Sequence, residues 1–476
     1  MSELIYMPVV ELAKRLRSRE ISARETVEAF IARYLDVNDK LNAIVMNCFG
    51  RAREEAKALD GRAACGDFAG PLHGVPMTLK DSLDTAGVIS TGGTFGRQQY
   101  VPKKDATVVA RVRSAGAILL GKTNTPEFTL GGLGLNTTSN LLRGATHNPY
   151  DLARSAFASS GGSAASVAAG LASFDIGSDF SGSLRLPAHN NGIASIRPTS
   201  VRVPRTGHIV DYGGMYDLWQ QIGPLGRRVA DLELITPIIA GPDGHDVACA
   251  PVPWRNPADV RIQGLRVAFV VDNGGTGADA TDEDTRHTVR QVARWLEAAR
   301  ANVTEGAPTD AFLALTTAND ELLNADGYAF WQRLARRWGT NNISPLRRKW
   351  IETTRPRTTA ELVEIWERHD VTKSRVLQWM SGFDALVCPV APTPARLIDG
   401  PSLVDAADEP AGASWAYTEL FSSLGWPVVV VRAGSSKAQG LPIGVQIAAP
   451  PWREDIALAI ARHVEQQSGG WREPPL

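Results

Sequence analysis

Cysteine is scarce and scattered in this chain: Cys48, Cys65, Cys249 and Cys388 are the only four in 476 residues, and none forms a C-x-x-C pair. That excludes a disulfide framework and a cysteine-built zinc site. Charge of one sign is equally thin, with a formal net charge of −1 and no block of like charges long enough to mark a nucleic-acid or membrane patch. Nucleic acid is therefore not an expected partner. Residues 1–6 lack a basic region leading into a long apolar core, and no apolar run approaches the roughly 18 residues of a membrane span. The expectation is a soluble cytoplasmic protein with no membrane span. Internal repeats are missing as well, and no G-x-S-x-G elbow occurs, which removes the usual setting of an α/β-hydrolase serine.

What is present is 43% hydrophobic composition, enough for a large core in one or two α/β domains. One stretch, residues 155–198, organises the rest. It carries no charge between Arg154 and Asp175 and is crowded with Ser, Gly and Ala, so it cannot be a solvated helix. Gly161, Gly162 and the small side chains suit a helix buried on every side, whose serines then need buried partners. A turn of Asp179, Phe180, Ser181, Gly182 and Ser183 leads on to Arg185.

A buried serine becomes a nucleophile only with a base nearby and donors set for the developing oxyanion. Ser183 has candidate donors in its own turn, the N–H groups of Phe180, Ser181, Gly182 and Ser183, because Gly182 lets the chain bend sharply. His189 follows with nothing to place it, so the base has to come from elsewhere. In residues 71–93, the apolar run Val75-Pro76-Met77-Thr78-Leu79 reads as a buried strand that delivers Lys80 into the interior. Burial disfavours a charged lysine, and a neutral amine accepts a proton, which makes a Ser–Lys system the candidate chemistry.

Lys80, then Ser159-Ser160-Gly161-Gly162-Ser163, then Ser183 resemble the amidase signature family. The stretches GKTNTPEF at 121–128, Ile222-Gly223-Pro224 with Arg228, and GLPIGVQ at 440–446 resemble it too, so the likeness covers nearly the whole chain. The resemblance implies an α/β fold, a mixed twisted sheet covered by helices on both faces. It implies Ser183 as nucleophile, Lys80 as base and Ser159 as relay serine, preceded by a cis peptide bond. Asp179 and Arg185 then brace the turn as an ion pair, and no metal or cofactor is implied. Residues 1–476 are expected to form one domain, with 60–230 as the signature core and 310–380 as a variable helical region roofing the substrate entrance.

This chain departs from the family at Phe157-Ala158 and Ser181-Gly182, where Gly-Gly is usual, and at Asn191-Gly192, where Cys-Gly is usual. Those positions surround the acyl pocket, so they bear on substrate more than on mechanism. Phe157, Ala158, Tyr212, Trp219, Trp415 and Tyr417 are the expected substrate-binding residues, with core packing still open for Trp415 and Tyr417. Phe180, Met215, Tyr216 and Leu218 add to an apolar, aromatic lining. The expected partner is a small neutral amide or carbamate (urethane), cleaved through a serine acyl-enzyme with esterase side activity, as in aryl-acylamidases, nylon-oligomer hydrolases and urethane hydrolases. The amidase-type subunit of a tRNA-dependent amidotransferase and a non-catalytic binding relative are the alternatives. A monomer or homodimer is expected.

Elsewhere, Ser22-Ala23-Arg24-Glu25 forms a capping box ahead of Val27, Phe30, Ile31, Tyr34 and Leu35 at helical spacing. Residues 105–117 read as a second amphipathic helix, and 117–120 as a short buried strand. That strand argues against a phosphate loop at Gly116 to Thr123, since its amides belong to a sheet. His73 reads as a histidine bonded to backbone at a turn. Pro and Gly crowd residues 223–259, which read as a crossing loop. Residues 267–271, 282–299 and the segment near Val303 read as a β-α-β unit. In the tryptophan-rich 310–380 region, Arg347-Arg348-Lys349 reads as a solvated basic face beside Trp350. Strands at 384–390, 427–431 and 443–448 and a helix at 454–466 close the chain.

Overall fold

Strands drawn from almost the full length of the chain meet in one eleven-stranded sheet. The computed structural model describes residues 2–130, 137–211, 214, 217–274, 280–398 and 413–476. In chain order the sheet strands are β1 Ile44–Asn47, β2 Pro76–Lys80, β3 Ile118–Thr123, β4 Phe174–Asp179, β5 Ala194–Arg197 and β6 Gln221–Gly226, followed by β7 Arg266–Phe269, β8 Asn302–Glu305, β9 Ala385–Pro389, β10 Val428–Ser435 and β11 Pro442–Ala448. Their order across the sheet is β1-β3-β2-β4-β6-β5-β10-β11-β9-β7-β8. Neighbours run parallel in β3-β2-β4 and in β9-β7-β8 and antiparallel elsewhere, so the sheet is mixed.

Alternation along the strands sends side chains to two covered faces. On β10, Val429 and Val431 pack with the helices Val229–Ile239, Glu283–Ala298 and Glu454–Ser468. Val428 and Val430 point the other way, toward the helices Ala413–Leu424 and Arg185–Asn190. The same rule sets the site on β2. Met77 and Leu79 enter the large core shared with the N-terminal helices, so Thr78 and Lys80 face the opposite side. There they meet the helix Gly161–Ala168, every residue of which is buried, and Thr78 Oγ1 lies 3.3 Å from Ser166 Oγ. A Cβ on Gly162 would stand 2.5 Å from the Asn124 backbone nitrogen, so glycine there is what lets this helix approach the end of β3.

The remaining segments follow the expected pattern with three corrections. Residues 223–259 are not one loop: β6 occupies its start and the helix Val229–Ile239 follows, with irregular chain only from 240 to 256. Pro224 is accommodated within the ladder opposite Ile176, Pro237 falls in the last helical turn, and Leu232, Ile235 and Ile239 give the helix a fully buried stripe. Leu35 is 72% exposed although it sits on the helix Ala23–Leu41, whose N-cap Ser22 accepts from the Glu25 amide at 3.0 Å. The basic face at 347–349 is only partly solvated. Arg348 and Lys349 are exposed, but Arg347 is buried with its guanidinium 3.8 Å from the centre of the Trp331 ring and 4.8 Å from that of Trp350. Cation–π attraction in this aromatic setting offsets the loss of water. The β7-helix-β8 unit is parallel, and its helix is capped by Asp282 accepting from the Thr285 amide at 2.7 Å. Among the described residues no helix is long and apolar enough to cross a membrane.

Candidate active site

Lys80 is the last residue of β2 and has no solvent exposure. Its Nζ lies 2.6 Å from Ser159 Oγ, 2.8 Å from Ser178 Oγ and 3.4 Å from the Ser178 carbonyl. Burial pushes the Lys80 amine down to about 7, against the opposing pull of Asp179 and Asp175. Near neutral pH the group is therefore divided between amine and ammonium.

Ser159 stands just before the helix Gly161–Ala168, and its N–H donates to Ser183 Oγ at 3.2 Å. The structure thus gathers Lys80, Ser159 and Ser183 in one buried cluster. The peptide bond before Ser159 is trans, as is every described one, where a cis bond was expected. The chain is turned instead by left-handed backbone at Phe157 (φ 68°) and Ala158 (φ 51°), which stand where the family usually carries glycines. Ser160 Oγ donates to the Ser178 carbonyl at 2.9 Å, and Ser163 Oγ lies 3.0 Å from Thr123 Oγ1, so the serines at the start of this helix have partners, whereas the hydroxyls of Ser173 and Ser195 further along find none among the described residues.

The turn after β4 is held by charge. Asp179 accepts from Arg185 Nε at 3.0 Å, Arg185 Nη2 at 2.9 Å and the Leu184 amide at 2.9 Å. Burial works against the carboxylate, but the Arg185 charge and hydrogen bonds, with the nearby Arg197 charge, outweigh it and hold Asp179 below its ordinary pKa. Arg185 also donates to the Thr418 carbonyl at 2.6 Å and to Ser422 Oγ at 2.7 Å, tying the turn to the helix Ala413–Leu424. Gly182 has φ 147°, and a Cβ there would meet Thr418 Oγ1 at 2.6 Å. Among the described residues, the amides of Ser181, Gly182 and Ser183 find no acceptor.

The expected pocket residues part company. Phe157 and Trp415 are partners, their ring centres 5.4 Å apart, and Ala158 is buried beside them. Trp219 lies 6.4 Å from the Phe180 ring, with its Nε1 on Asn319 Oδ1 at 3.1 Å. Tyr417 instead faces the core: it is fully buried, its ring is 5.8 Å from that of Phe312, and its hydroxyl is 2.7 Å from Thr281 Oγ1. Tyr212, Met215 and Tyr216 lie outside the described residues. His189 is fixed between backbone groups, with Nδ1 taking the Gly444 amide at 3.0 Å and Nε2 at 3.1 Å from the Thr393 carbonyl. His73 accepts the Ala69 amide at 3.0 Å and packs on Phe68. Among the described residues, no three His, Cys, Asp or Glu side chains are grouped to hold a metal ion.

Three neighbours of the cluster escaped the sequence reading. Ser178 is the second hydroxyl on Lys80, and strand alternation on β4 was the available signal. His208 Nε2 lies 3.0 Å from Ser178 Oγ. Glu419, 5% exposed, lies against Ser181 and Thr316, and burial together with the Asp320 charge raises its pKa well above the ordinary value.

Fold and site together define an α/β protein with a buried lysine-serine cluster at the end of a parallel strand pair. The Amidase family pattern matches residues 25–458, and the chain belongs to this family, the amidase signature proteins. It is 32% identical over 502 residues to one subunit of the glutamyl-tRNA(Gln) amidotransferase of Anaeromyxobacter dehalogenans, covering 99% of this chain and 98% of that one. It is also 32% identical over 466 residues to indoleacetamide hydrolase of Bradyrhizobium diazoefficiens, covering 97% and 86%. Among solved structures, a 6-aminohexanoate cyclic dimer hydrolase superposes with a TM-score of 0.85 at 29% identity over 99% of both chains. The chain is a C–N hydrolase of the amidase family.

Proposed function

We propose that this chain hydrolyses neutral apolar or aromatic amides, and small aryl carbamates, through an acyl-enzyme on Ser183. One observation carries the reading: a lysine with no solvent exposure, its Nζ 2.6 Å from Ser159 Oγ, while the Ser159 N–H reaches Ser183 Oγ. Ser183 Oγ attacks the carbonyl carbon, and its proton passes through Ser159 Oγ to the neutral Lys80 amine. The N–H groups of the Phe180 to Ser183 turn receive the oxyanion. The proton returns through Ser159 to the leaving amine, and water then cleaves the acyl-enzyme by the same route. Asp179 and Arg185 keep the turn in place. An ester passes through the same tetrahedral oxyanion, so esterase side activity belongs to the proposal.

Phe157, Ala158, Trp219 and Trp415 remain as the apolar lining, while the core contacts of Tyr417 remove it from the set. A buried, unpaired substrate carboxylate would cost several kcal/mol in such surroundings, roughly 2 to 7 even for a neutral polar group. We further propose one domain over 1–476, a signature core at 60–230, and a roofing role for 310–380. The last is supported by Trp366 and His369, whose rings lie 6.0 Å and 5.9 Å from that of Trp219.

The second reading, an amidase-type subunit of a tRNA-dependent amidotransferase, is favoured by the 32% identity over 99% of this chain. Assay of the isolated chain on a p-nitroanilide, an aryl carbamate and glutamine separates the two. The proposal expects kcat/KM highest on the aryl substrates. A clear preference for glutamine would overturn it, and amide turnover without carbamate turnover removes the carbamate part alone.

A further inference from the structure

Lys80 has two hydroxyl partners, and only Ser159 lies on the route to Ser183. The other, Ser178 Oγ, is 2.8 Å from Lys80 Nζ and 3.0 Å from His208 Nε2. We propose that His208 is a positioning residue: in its neutral Nδ1–H form it accepts the Ser178 hydroxyl proton at Nε2 and so leaves the Lys80 lone pair aimed at Ser159. This inference rests on the acyl-transfer reading above.

A neutral lysine amine has two N–H groups and one lone pair. To take a proton from Ser159, the lone pair has to face Ser159 Oγ, which sends the N–H groups to Ser178 Oγ and to the Ser178 carbonyl, 2.8 Å and 3.4 Å away. Ser178 Oγ then receives from Lys80 and has one proton of its own to place. His208 Nε2 takes it only when the ring proton sits on Nδ1, and the Val210 carbonyl waits there at 2.9 Å.

The opposite tautomer also fits the fold. The Val210 amide lies 3.1 Å from His208 Nδ1 and can donate to it, which leaves the proton on Nε2. Nε2–H then donates to Ser178 Oγ, whose hydroxyl proton turns to the Lys80 lone pair and occupies it. The placement of one ring proton therefore decides whether the lysine is a free base. The imidazolium would block the base in the same way, but burial and the charges of Lys80, Arg205 and Arg97 pull His208 down to about 3, so the ring stays neutral. The ring is held by backbone on both sides: Leu83 and His208 form a bridge, and the Ile209 amide donates to the Ser82 carbonyl at 2.8 Å.

Nitrogen-15 NMR of the histidine rings in the full chain at about pH 8 tests this directly, with His208 assigned among the eight histidines by its loss in His208→Gln. The expected result is a protonated-type Nδ1 shift and an unprotonated-type Nε2 shift. The reverse pattern overturns the proposal, whether or not the chain turns over any amide, so its failure is distinct from failure of the functional reading. Kinetics on a p-nitroanilide provide a second measurement. His208→Leu removes the acceptor and should lower kcat by roughly tenfold or more with KM little changed, while His208→Gln, which keeps an acceptor oxygen, should recover most of the loss. Equal losses in both variants, or an unchanged kcat in His208→Leu, would refute the positioning role.

Discussion

If Lys80 is the base, protonating it switches the enzyme off, and the structure fixes where that happens. Burial brings its pKa to about 7 from an ordinary 10.5, so kcat/KM on a neutral anilide should rise with pH and level off above about 8. At pH 6 it should be about a tenth of the plateau and at pH 5 about a hundredth, with an apparent pKa that belongs to the coupled lysine-serine group. Stability carries the same signature. Between about 7 and 10.5 the unfolded chain holds the Lys80 proton and the folded chain does not, so the folded state gains stability as pH rises through that window. Below about 7 both states are protonated, and the buried charge weighs fully against folding. The displaced pKa corresponds to roughly 5 kcal/mol, of which about 2 kcal/mol falls between pH 7 and 9 because the folded amine is still half protonated at pH 7.

Urea denaturation of the wild type and of Lys80→Met at both pH values reads this out, because groups that titrate independently of Lys80 cancel in the difference. The wild type should gain about 2 kcal/mol relative to Lys80→Met on going from pH 7 to pH 9. A difference that stays constant across those two pH values would refute the depressed lysine. A rate profile abolished by His73→Ala or His189→Ala would transfer the base role to histidine.

The other expectations test roles and architecture. Ser183→Ala and Lys80→Ala should reduce single-turnover acylation to background, whereas Ser159→Ala should keep a measurable remainder because water can stand in for the relay hydroxyl; equal residues of activity in all three contradict the roles. Gly182→Ala puts a Cβ 2.6 Å from Thr418 Oγ1 and 2.9 Å from Leu186 Cδ1 at φ 147°, so kcat should drop by roughly tenfold or more while circular dichroism stays native. Full activity in that variant would show that the turn is not needed as built. Arg185→Met removes the bidentate partner of the buried Asp179 carboxylate and leaves it only Arg197 at 3.7 Å and the Leu184 amide, so it should cost about 3 kcal/mol in urea denaturation, and a loss under about 1 kcal/mol would mean the pair does not brace the turn.

Local pattern made much of this fold legible before any coordinates. The apolar run ahead of Lys80 could only be a buried strand, and alternation then dictated that lysine's side of the sheet. The uncharged small-residue segment could only be an enclosed helix, and Gly161–Ala168 is buried throughout. Pattern failed where a strong local signal had a non-local answer. Pro224 and Pro237 raised the density of breakers across 223–259, yet pairing with β4 and the stripe of Leu232, Ile235 and Ile239 decided the structure there. Arg347 advertised a solvated charge beside Trp350 of its own helix, but the Trp331 ring that encloses it comes from another helix and is visible only once the two helices pack.

The site divides along the same line. Lys80 and Ser183 stood out as candidates because a buried strand end and a glycine turn announce themselves in sequence, and Ser159 followed only from the resemblance to the family. Ser178 carried only the signal of alternation on β4, and His208 and Glu419 carried none, because they reach the cluster through packing that no spacing encodes: a loop bridged to Leu83 and a helix docked by Arg185. What these residues add is control of protons. His208 and Ser178 offer two hydrogen-bond directions around Lys80, and only one leaves the amine free. Glu419 brings a carboxyl against Ser181, which would contradict an apolar pocket if it were ionised. Its burial and the Asp320 charge instead favour the protonated acid, so it enters as a neutral hydrogen-bonding group. The proposed preference for neutral substrates therefore depends on that acid staying protonated as much as on the aromatic rings around it.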